Sequence, residues 1–361
     1  MEEEQIAELL KLTIDKKASD LHLRVPSPPV LRIDGELVPQ EDLPPVTAQD
    51  IEMIFQYITT PEQRNAFLGE LELDFAYSIH GLARFRVSVM KQRNTISIAF
   101  RTVPFEVMTI DALRLPQICK DLILKPRGLI LVTGPTGSGK STTMAAMVDH
   151  LNENESRNVI TIEEPIEYLH RNKKCLIAQR DLGDDTRSFS NALVHALRHD
   201  PDVIVVGEMR DLETISTAIR AAETGHLVLG TLHTTDAPQT IDRIIDIFPH
   251  GQQQQIRLQL SQVMEGILSQ TLLPRIGGGR VGAFEIMTAP PAVRNLIREQ
   301  KTFELHSIMQ LNAKDGMQTL DQALANLLKQ GIITKDNALM KSSSPERLNR
   351  LLQFPQSRAA V

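Results

Sequence analysis

The sequence predicts an α/β protein in which a mixed α+β domain precedes a parallel-sheet domain and a helical tail. Its 361 residues exceed the ~100 to 200 residues usual for one domain, so two domains are expected. From about residue 117, short apolar runs alternate with helical segments, which is typical of parallel α/β sheets. After Pro290 the apolar residues recur almost only at helical spacing.

Residues 1–100 are predicted to form the first domain, and residues 101–116 the link to the second. An amphipathic first helix is indicated by the spacing of Ile6, Leu9, Leu10 and Ile14. A second helix is expected at 48–58, and Asp34-Gly35 suits a tight turn. Apolar alternation predicts strands at 21–25, 30–33, 75–79, 83–90 and 96–101.

Residues 117–290 are predicted to form the parallel-sheet domain, and residues 291–361 its helical extension. The extension is indicated by the helical spacing of Val293, Leu296, Ile297, Leu320, Leu324, Leu327 and Leu328. Short apolar runs predict strands at 128–133, 158–162, 203–207, 227–231 and 281–287.

Composition excludes several classes of protein. The formal net charge of -6 argues against a general nucleic-acid binder, because phosphate backbones are held mainly by clustered Lys and Arg. Cys119 and Cys175 form no C-x-x-C pair, so neither a zinc site nor a disulfide is predicted, and both are expected to be buried. The acidic start and the lack of an apolar run near ~20 residues predict a cytoplasmic protein without membrane insertion.

A phosphate-binding loop is predicted after the apolar run 129–132. The motif G-x-x-x-x-G-K-S is matched by Gly134, Pro135, Thr136, Gly137, Ser138, Gly139, Lys140 and Ser141, and Thr142 continues into a helix. Glycines let backbone N–H groups turn toward a phosphate at the positive end of that helix. Lys140 is expected to neutralise the β and γ phosphates of ATP, and the Ser141 hydroxyl to ligate Mg²⁺.

Polar side chains follow three further predicted strands. Glu163 and Glu164 end the first, Glu208 follows the second, and the third is flanked by His226 and His233. Carboxylates at the carboxyl edge of a parallel sheet lie where ligands of open α/β folds bind. One of Glu163 and Glu164 is expected to activate the attacking water, Glu208 to serve the Mg²⁺ shell, and His233 to sense the γ phosphate while His226 braces the site. Taken alone, the acids also fit a solvated loop and the histidines a structural role.

With these motifs the chain resembles the secretion ATPase superfamily of type II secretion and type IV pili. The stretch 197–211, Leu-Arg-His-Asp-Pro-Asp-Val-Ile-Val-Val-Gly-Glu-Met-Arg-Asp, is similar to the superfamily signature. Residues 162–167 resemble its Asp box, with Glu164 where Asp is usual, and residues 226–233 its His box. The resemblance implies that Glu163 is the catalytic carboxylate, Glu208 the Walker B acid and His233 the His-box sensor.

Within the superfamily, segments 218–225, 292–299 and 316–324 resemble the pilus retraction ATPases. Assembly and secretion members generally carry a longer N-terminal region and a four-cysteine zinc insert, for which this chain has no room. The resemblance implies a PAS-like N-terminal domain and a RecA-like ATPase domain. It also implies that at least one of Arg84, Arg86 and Arg93 contacts the γ phosphate; without the family, the same arginines fit an exposed basic strand face.

The family further implies a homohexamer at the inner face of the cytoplasmic membrane that drives a PilC-like platform protein and so retracts the pilus. An accessory retraction ATPase that assists a second retraction motor (PilU-like) is the alternative within the class. A RecA-like nucleic-acid translocase is disfavoured by the acidic balance and by the lack of aromatic residues interleaved with basic ones. A nucleotide-binding regulator that does not hydrolyse ATP is the third alternative.

Overall fold

A computed structural model describes residues 3–33, 35–79, 82–103 and 107–353 of the chain. The chain divides into two compact units. Unit 1 comprises Met1–Glu106 with Pro165–Leu169, and unit 2 comprises Val107–Glu164 with His170–Val361. Asp34 of the predicted turn, residues 104–106 of the predicted link and the last eight residues of the predicted extension lie outside the described residues.

Unit 1 is built on a six-stranded antiparallel sheet with strand order β3-β2-β1-β6-β5-β4. Its strands are β1 (Asp20–Leu23), β2 (Val30–Ile33), β3 (Glu36–Pro39), β4 (Glu72–Ile79), β5 (Ala83–Gln92) and β6 (Thr95–Val103). Its helices are α1 (Glu3–Asp15), α2 (Ala48–Ile58) and α3 (Pro61–Glu70). The predicted helices and strands of this region are all present, and β3 and α3 are additional.

Side-chain alternation on β5 sets the inner face of this sheet. Phe85 and Val87 are fully buried, and the Phe85 ring packs edge-on against that of Phe100 with centroids 6.1 Å apart. Arg84 and Arg86 have the opposite parity and lie on the outer face, as the sequence predicts. The strand therefore contributes apolar side chains to the core and basic ones to the surface.

Unit 2 is built on a seven-stranded sheet with strand order β13-β12-β7-β11-β10-β8-β9. Every neighbouring pair is parallel except β12 with β13, so six parallel strands carry one antiparallel edge strand. The strands are β7 (Gly128–Thr133), β8 (Asn158–Glu163), β9 (Leu176–Asp181), β10 (Val203–Val206), β11 (Leu227–Leu232), β12 (Met264–Pro274) and β13 (Arg280–Thr288). The α/β fold class is confirmed, whereas β9 and β12 were not predicted.

Helices cover both faces of this sheet. They are α4 (Ile118–Ile123), α5 (Lys140–Asn154), α6 (Phe189–Ala196), α7 (Leu212–Glu223), α8 (Ala237–Asp246), α9 (His250–Val263), α10 (Pro291–Arg298), α11 (Leu305–Leu311), α12 (Leu320–Lys329), α13 (Lys335–Lys341) and α14 (Pro345–Gln353). One buried cluster joins the sheet to α6–α10, and another joins its other face to α4 and α5. Every residue of β7, β10 and β11 is buried, which explains their uninterrupted apolar sequences.

The segment after Pro290 is helical, as predicted. The apolar faces of α12, α13 and α14 form a small cluster against β12 and β13. Among the described residues, no helix combines the length and the apolar character needed to cross a lipid bilayer. Cys119 and Cys175 are both buried and form no disulfide, in agreement with the sequence prediction.

A buried carboxyl group lies on the antiparallel edge strand of this sheet. Glu285 on β13 is 1% exposed, and its Oε1 accepts a hydrogen bond of 2.9 Å from the Ala237 N–H at the start of α8. Its Oε2 lies 3.7 Å from His306 Nδ1. Burial raises the pKa of Glu285 to about 7, and the nearby Asp236 and Asp321 act in the same direction, whereas the Ala237 N–H lowers it.

We expect Glu285 to make the folded state less stable as pH rises. Because its folded pKa lies above its ordinary value near 4.5, the folded protein binds more protons than the unfolded chain between pH 4.5 and 7. The free energy of unfolding should therefore fall through that window. Glu285→Gln removes this loss. The free energy of unfolding of the variant minus that of the wild type should therefore be larger at pH 8 than at pH 4 by about 3 kcal/mol. Urea unfolding at both pH values, with the exposed-site variant Glu304→Gln as control, measures the difference; equal gains at both pH values would contradict the prediction.

Candidate functional site

The loop between β7 and α5 has the backbone conformation that its glycines permit. Gly134, Gly137 and Gly139 have φ values of +142°, +76° and +92°, which residues with a Cβ rarely adopt. Gly139 is the N-cap of α5 and provides no capping side chain. The helix therefore presents its first-turn backbone, with the positive end of its dipole, to the concave side of the loop.

The side chain of Lys140 folds back over this loop. Its Nζ donates hydrogen bonds of 2.8 Å to the Gly134 carbonyl and 3.2 Å to the Pro135 carbonyl. Ser141 and Thr142 follow in the first turn of α5, both half-buried. A basic side chain, two hydroxyls and a helix N-terminus thus converge on one cradle, a combination that suits a polyphosphate with its Mg²⁺.

The unpredicted strand β12 supports the loop from behind. Gln270 Nε2 donates a hydrogen bond of 2.6 Å to the Ser138 carbonyl. A Cβ added to Gly134 would lie 2.3 Å from the Gln270 carbonyl oxygen, and one added to Gly139 would lie 3.1 Å from Gln270 Nε2. Close packing against β12 is therefore a second reason why Gly134 and Gly139 must be glycine.

Parallel register brings the other predicted residues to the same edge of the sheet. Strand β11 lies beside β7 and pairs Leu232 with Thr133, the last residue before the loop. Strand β10 lies beside β11, and its Val206 pairs with Gly230 on one side and Ile162 of β8 on the other. His233, Glu208 and Glu163 therefore lie at the ends of three successive strands beside the phosphate loop. Neighbouring strands of a sheet lie about 4.8 Å apart.

Glu208 is paired with two basic side chains. Arg210 contacts both its oxygens, with Nε 2.5 Å from Oε1 and Nη2 2.6 Å from Oε2, and His233 Nε2 lies 3.0 Å from Oε1. Partial burial raises the pKa of Glu208, but Arg210 and then His233 outweigh that effect, and the pKa lies below its ordinary value. The carboxylate is therefore ionised at neutral pH.

The two acids at the end of β8 have different surroundings. Glu163 is half-buried, and its Oε1 accepts hydrogen bonds from Thr161 Oγ1 at 2.6 Å and Gln179 Nε2 at 3.2 Å. The side chain of Glu164 is 46% exposed and lies 4.0 Å from Arg210 Nη1. Glu163 therefore has a defined carboxylate position, whereas Glu164 lies in solvent.

The prediction that His226 braces the site is wrong, because His226 lies at the opposite edge of the sheet from the site of the same chain. His226 precedes β11 at the amino end of the sheet, and its Nδ1 lies 2.9 Å from the Ala221 carbonyl and 3.2 Å from Thr224 Oγ1. His226 and His233 are seven residues apart with β11 between them, so at ~3.3 Å per residue they lie ~23 Å apart. The imidazole joins the end of α7 to β11 and has a structural role.

The three predicted arginines do not lie together within unit 1. Arg84 and Arg86 are near the start of β5, whereas Arg93 has a φ of +46° in the turn after it. Seven residues of extended strand separate Arg86 from Arg93 by ~24 Å. A single phosphate contact by all three arginines of one chain is therefore excluded.

Three residues in contact with the predicted site were not singled out from the sequence. Arg210 lies within the stretch that resembles the superfamily signature, and its place two residues after Glu208 is a signal in the sequence for a basic partner of this acid. Gln179 and Gln270 lie on the two unpredicted strands and carried no signal in the sequence. Within the described ranges, no group of three or more His, Cys, Asp and Glu side chains could hold a metal ion.

The chain is similar over most of its length to known proteins. The family model described as "Type II/IV secretion system protein" matches residues 3–278. The chain is 49% identical over 94% of its length to the type IV pilus retraction ATPase PilT of Pseudomonas aeruginosa, covering 99% of that protein. It is 39% identical over 97% of its length to the type IV pilus ATPase PilU of the same organism, covering 92% of it. It also resembles a crystal structure of the pilus retraction motor PilT with bound ADP, with a TM-score of 0.89 and 48% identity over 96% of this chain and 99% of that one.

We predict that Gly134→Ala abolishes nucleotide binding. The added methyl group would overlap the Gln270 carbonyl at 2.3 Å and force the loop away from β12. Gly183→Ala is the matched control, because Gly183 also has a positive φ, +101°, but has no atom within 4 Å of an added Cβ. Titration with a fluorescent ADP analogue should show binding by the wild type and Gly183→Ala only. Binding by Gly134→Ala with wild-type affinity would contradict the packing argument.

Proposed function

This chain belongs to the type II/IV secretion system protein family, and we propose that it is a P-loop ATPase that powers the retraction of type IV pili. One observation carries the proposal. The phosphate loop, His233, Glu208 and Glu163 end four adjacent strands in a chain 49% identical to a pilus retraction ATPase. The site provides a place for the phosphates, a base for the attacking water and cations for the charge that develops.

In the proposed reaction, Gly134–Lys140 hold the phosphates of ATP. Lys140 turns from the loop carbonyls to the β and γ phosphates, which gives its charge a stronger partner than two neutral oxygens. Glu163 orients a water molecule for in-line attack and accepts its proton. His233, held by Glu208 at 3.0 Å, contacts the γ phosphate and distinguishes ATP from ADP.

Mg²⁺ would be held by the Ser141 hydroxyl and, through water, by Glu208. When bound, the ion would neutralise phosphate charge and withdraw electrons from the phosphorus. Phosphate oxygens and water would complete its ligands, as is usual for this ion. The pairing of Glu208 with Arg210 keeps this acid ionised for that role.

The proposed assembly is a homohexamer in the cytoplasm, bound to the inner membrane through a PilC-like platform protein. Each subunit would have a RecA-like and a PAS-like domain, and ATP binding and release would drive the movement of the ring. At least one of Arg84, Arg86 and Arg93 would contact the γ phosphate and so couple this movement to ATP. An arginine so placed is worth ~10³ to 10⁵ in rate.

The main retraction motor is favoured over an accessory one by similarity. Identity to the P. aeruginosa retraction ATPase is 49%, against 39% to the PilU ATPase of the same organism, over nearly the whole chain in both cases. A second retraction ATPase remains a proposed partner.

We predict that Glu163→Gln reduces kcat for ATP hydrolysis by at least about 10²-fold, because it removes the general base. ATP binding should be retained, since the phosphate loop is unchanged. Glu164→Gln is the matched control and should reduce kcat by less than about 3-fold, because this side chain is solvated. Phosphate release under steady state and binding of labelled ATP measure the two quantities. The reverse order of the two variants would assign the base to Glu164.

A cellular experiment tests pilus retraction. In a strain that lacks the gene for this chain, the wild-type chain should restore twitching and the shortening of labelled pili, and Lys140→Ala should restore neither. Lys314→Ala, which alters an exposed lysine of the helical tail, should restore both. Retraction that persists in the deletion strain would favour the accessory role, and ATPase activity strongly stimulated by single-stranded DNA would favour a translocase.

A further inference from the structure

We propose that Gln179 is the positioning residue for the catalytic carboxylate of Glu163; this inference rests on the proposed ATPase function. Gln179 lies on β9, the edge strand beside β8, and pairs with Thr161 in the parallel register. Thr161 and Glu163 have the same parity on β8, so all three side chains lie on one face of the sheet. Val159 shares that parity and packs in the buried cluster of α5, the helix that follows the phosphate loop.

Two donors converge on one oxygen of Glu163. Thr161 Oγ1 donates at 2.6 Å and Gln179 Nε2 at 3.2 Å, both to Oε1. The Thr161 contact comes from the same strand, two residues earlier, whereas the Gln179 contact comes from the neighbouring strand. A second donor from a neighbouring strand fixes the plane of the carboxylate and so the direction in which the other oxygen, Oε2, points.

The orientation of the Gln179 amide is itself fixed. Its Oε1 accepts a hydrogen bond of 2.8 Å from the His170 backbone N–H. A backbone N–H bonds only to an acceptor, so the oxygen must face His170 and the NH₂ group must face Glu163. Gln179 thereby joins Glu163 to His170, the residues on either side of the Glu164–Leu169 segment.

The chain after His170 is anchored to the helix of the phosphate loop. Asn152 on α5 is fully buried; it donates to the Arg171 carbonyl at 2.7 Å and accepts from the N–H groups of Lys173 and Cys175 at 3.0 and 3.2 Å. Lys173 Nζ also lies 2.8 Å from Asp149 Oδ1 on α5. Hydrogen bonds and the covalent backbone of residues 170–175 therefore connect α5 with Gln179 and the carboxylate of Glu163.

These contacts set the position of the Glu163 carboxylate relative to the phosphate loop. A misplacement of a catalytic group by ~1 Å can reduce the rate by ~10²-fold. Gln179→Met keeps the size of the side chain but removes the donor. Gln179→Glu keeps an oxygen for the His170 N–H and places a second oxygen opposite the carboxylate, where like charges repel. We expect kcat to fall about 10-fold for Gln179→Met and further for Gln179→Glu, with KM and the Kd for ATP within about 2-fold of wild type. Gln254→Leu, at an exposed glutamine of α9, is the control and should leave kcat unchanged.

A double-mutant cycle distinguishes positioning from a general structural role. In the Glu163→Gln background, Gln179→Met should reduce kcat by less than about 2-fold, because its effect passes through the carboxylate. An equal loss in both backgrounds, a Kd for ATP that weakens in step with kcat, or wild-type kcat in both Gln179 variants would each overturn the inference. Absence of ATPase activity in the wild type would overturn the proposed function, whereas normal turnover by both Gln179 variants overturns only the role of Gln179.

Discussion

The parallel register of the unit 2 sheet is the constraint on which the site depends. In a parallel sheet all strands end at the same edge, so residues far apart in the sequence meet if each follows a strand. Glu163, Glu208 and His233 satisfy that condition beside the phosphate loop. The register is maintained because helices bury both faces of the central strands, and a strand buried on both sides cannot slip without exposing apolar residues.

Burial also determines which strands could be predicted from the sequence. Strands β7, β10 and β11 are continuous apolar runs because they are buried on both faces, and they were predicted nearly to their ends. Strand β9, Leu-Ile-Ala-Gln-Arg-Asp, is an edge strand with several partly exposed residues, so it has no such run. Strand β12 contains Glu265, Ser269 and Gln270, which obscure its apolar character. The roles of Gln179 and Gln270 could not be inferred because their strands were not recognised.

The misplaced histidine shows how far a motif can mislead when geometry is set aside. His226 and His233 flank one strand, and two residues at opposite ends of a six-residue strand cannot reach the same edge of a sheet. Sequence proximity suggested a shared role, whereas the rise per residue excludes it. The arginines are likewise spread along one strand, because Arg84 lies near the start of β5 and Arg93 follows its end.

Both residues that support the site from the unpredicted strands are glutamines, and their neutrality has a physical reason. Gln270 donates to a carbonyl of the phosphate loop, and Gln179 donates to the carboxylate of Glu163. A lysine or arginine in either place would also donate, but its charge would attract the phosphates and lower the proton affinity that the proposed role of Glu163 as a base requires. An amide provides direction without charge. Arg210, by contrast, lies between Glu208 and Glu164, where a positive charge offsets the repulsion of two acids at neighbouring strand ends. Arg210 thus provides a positive charge beside Glu208, whereas Gln179 provides a neutral donor beside Glu163.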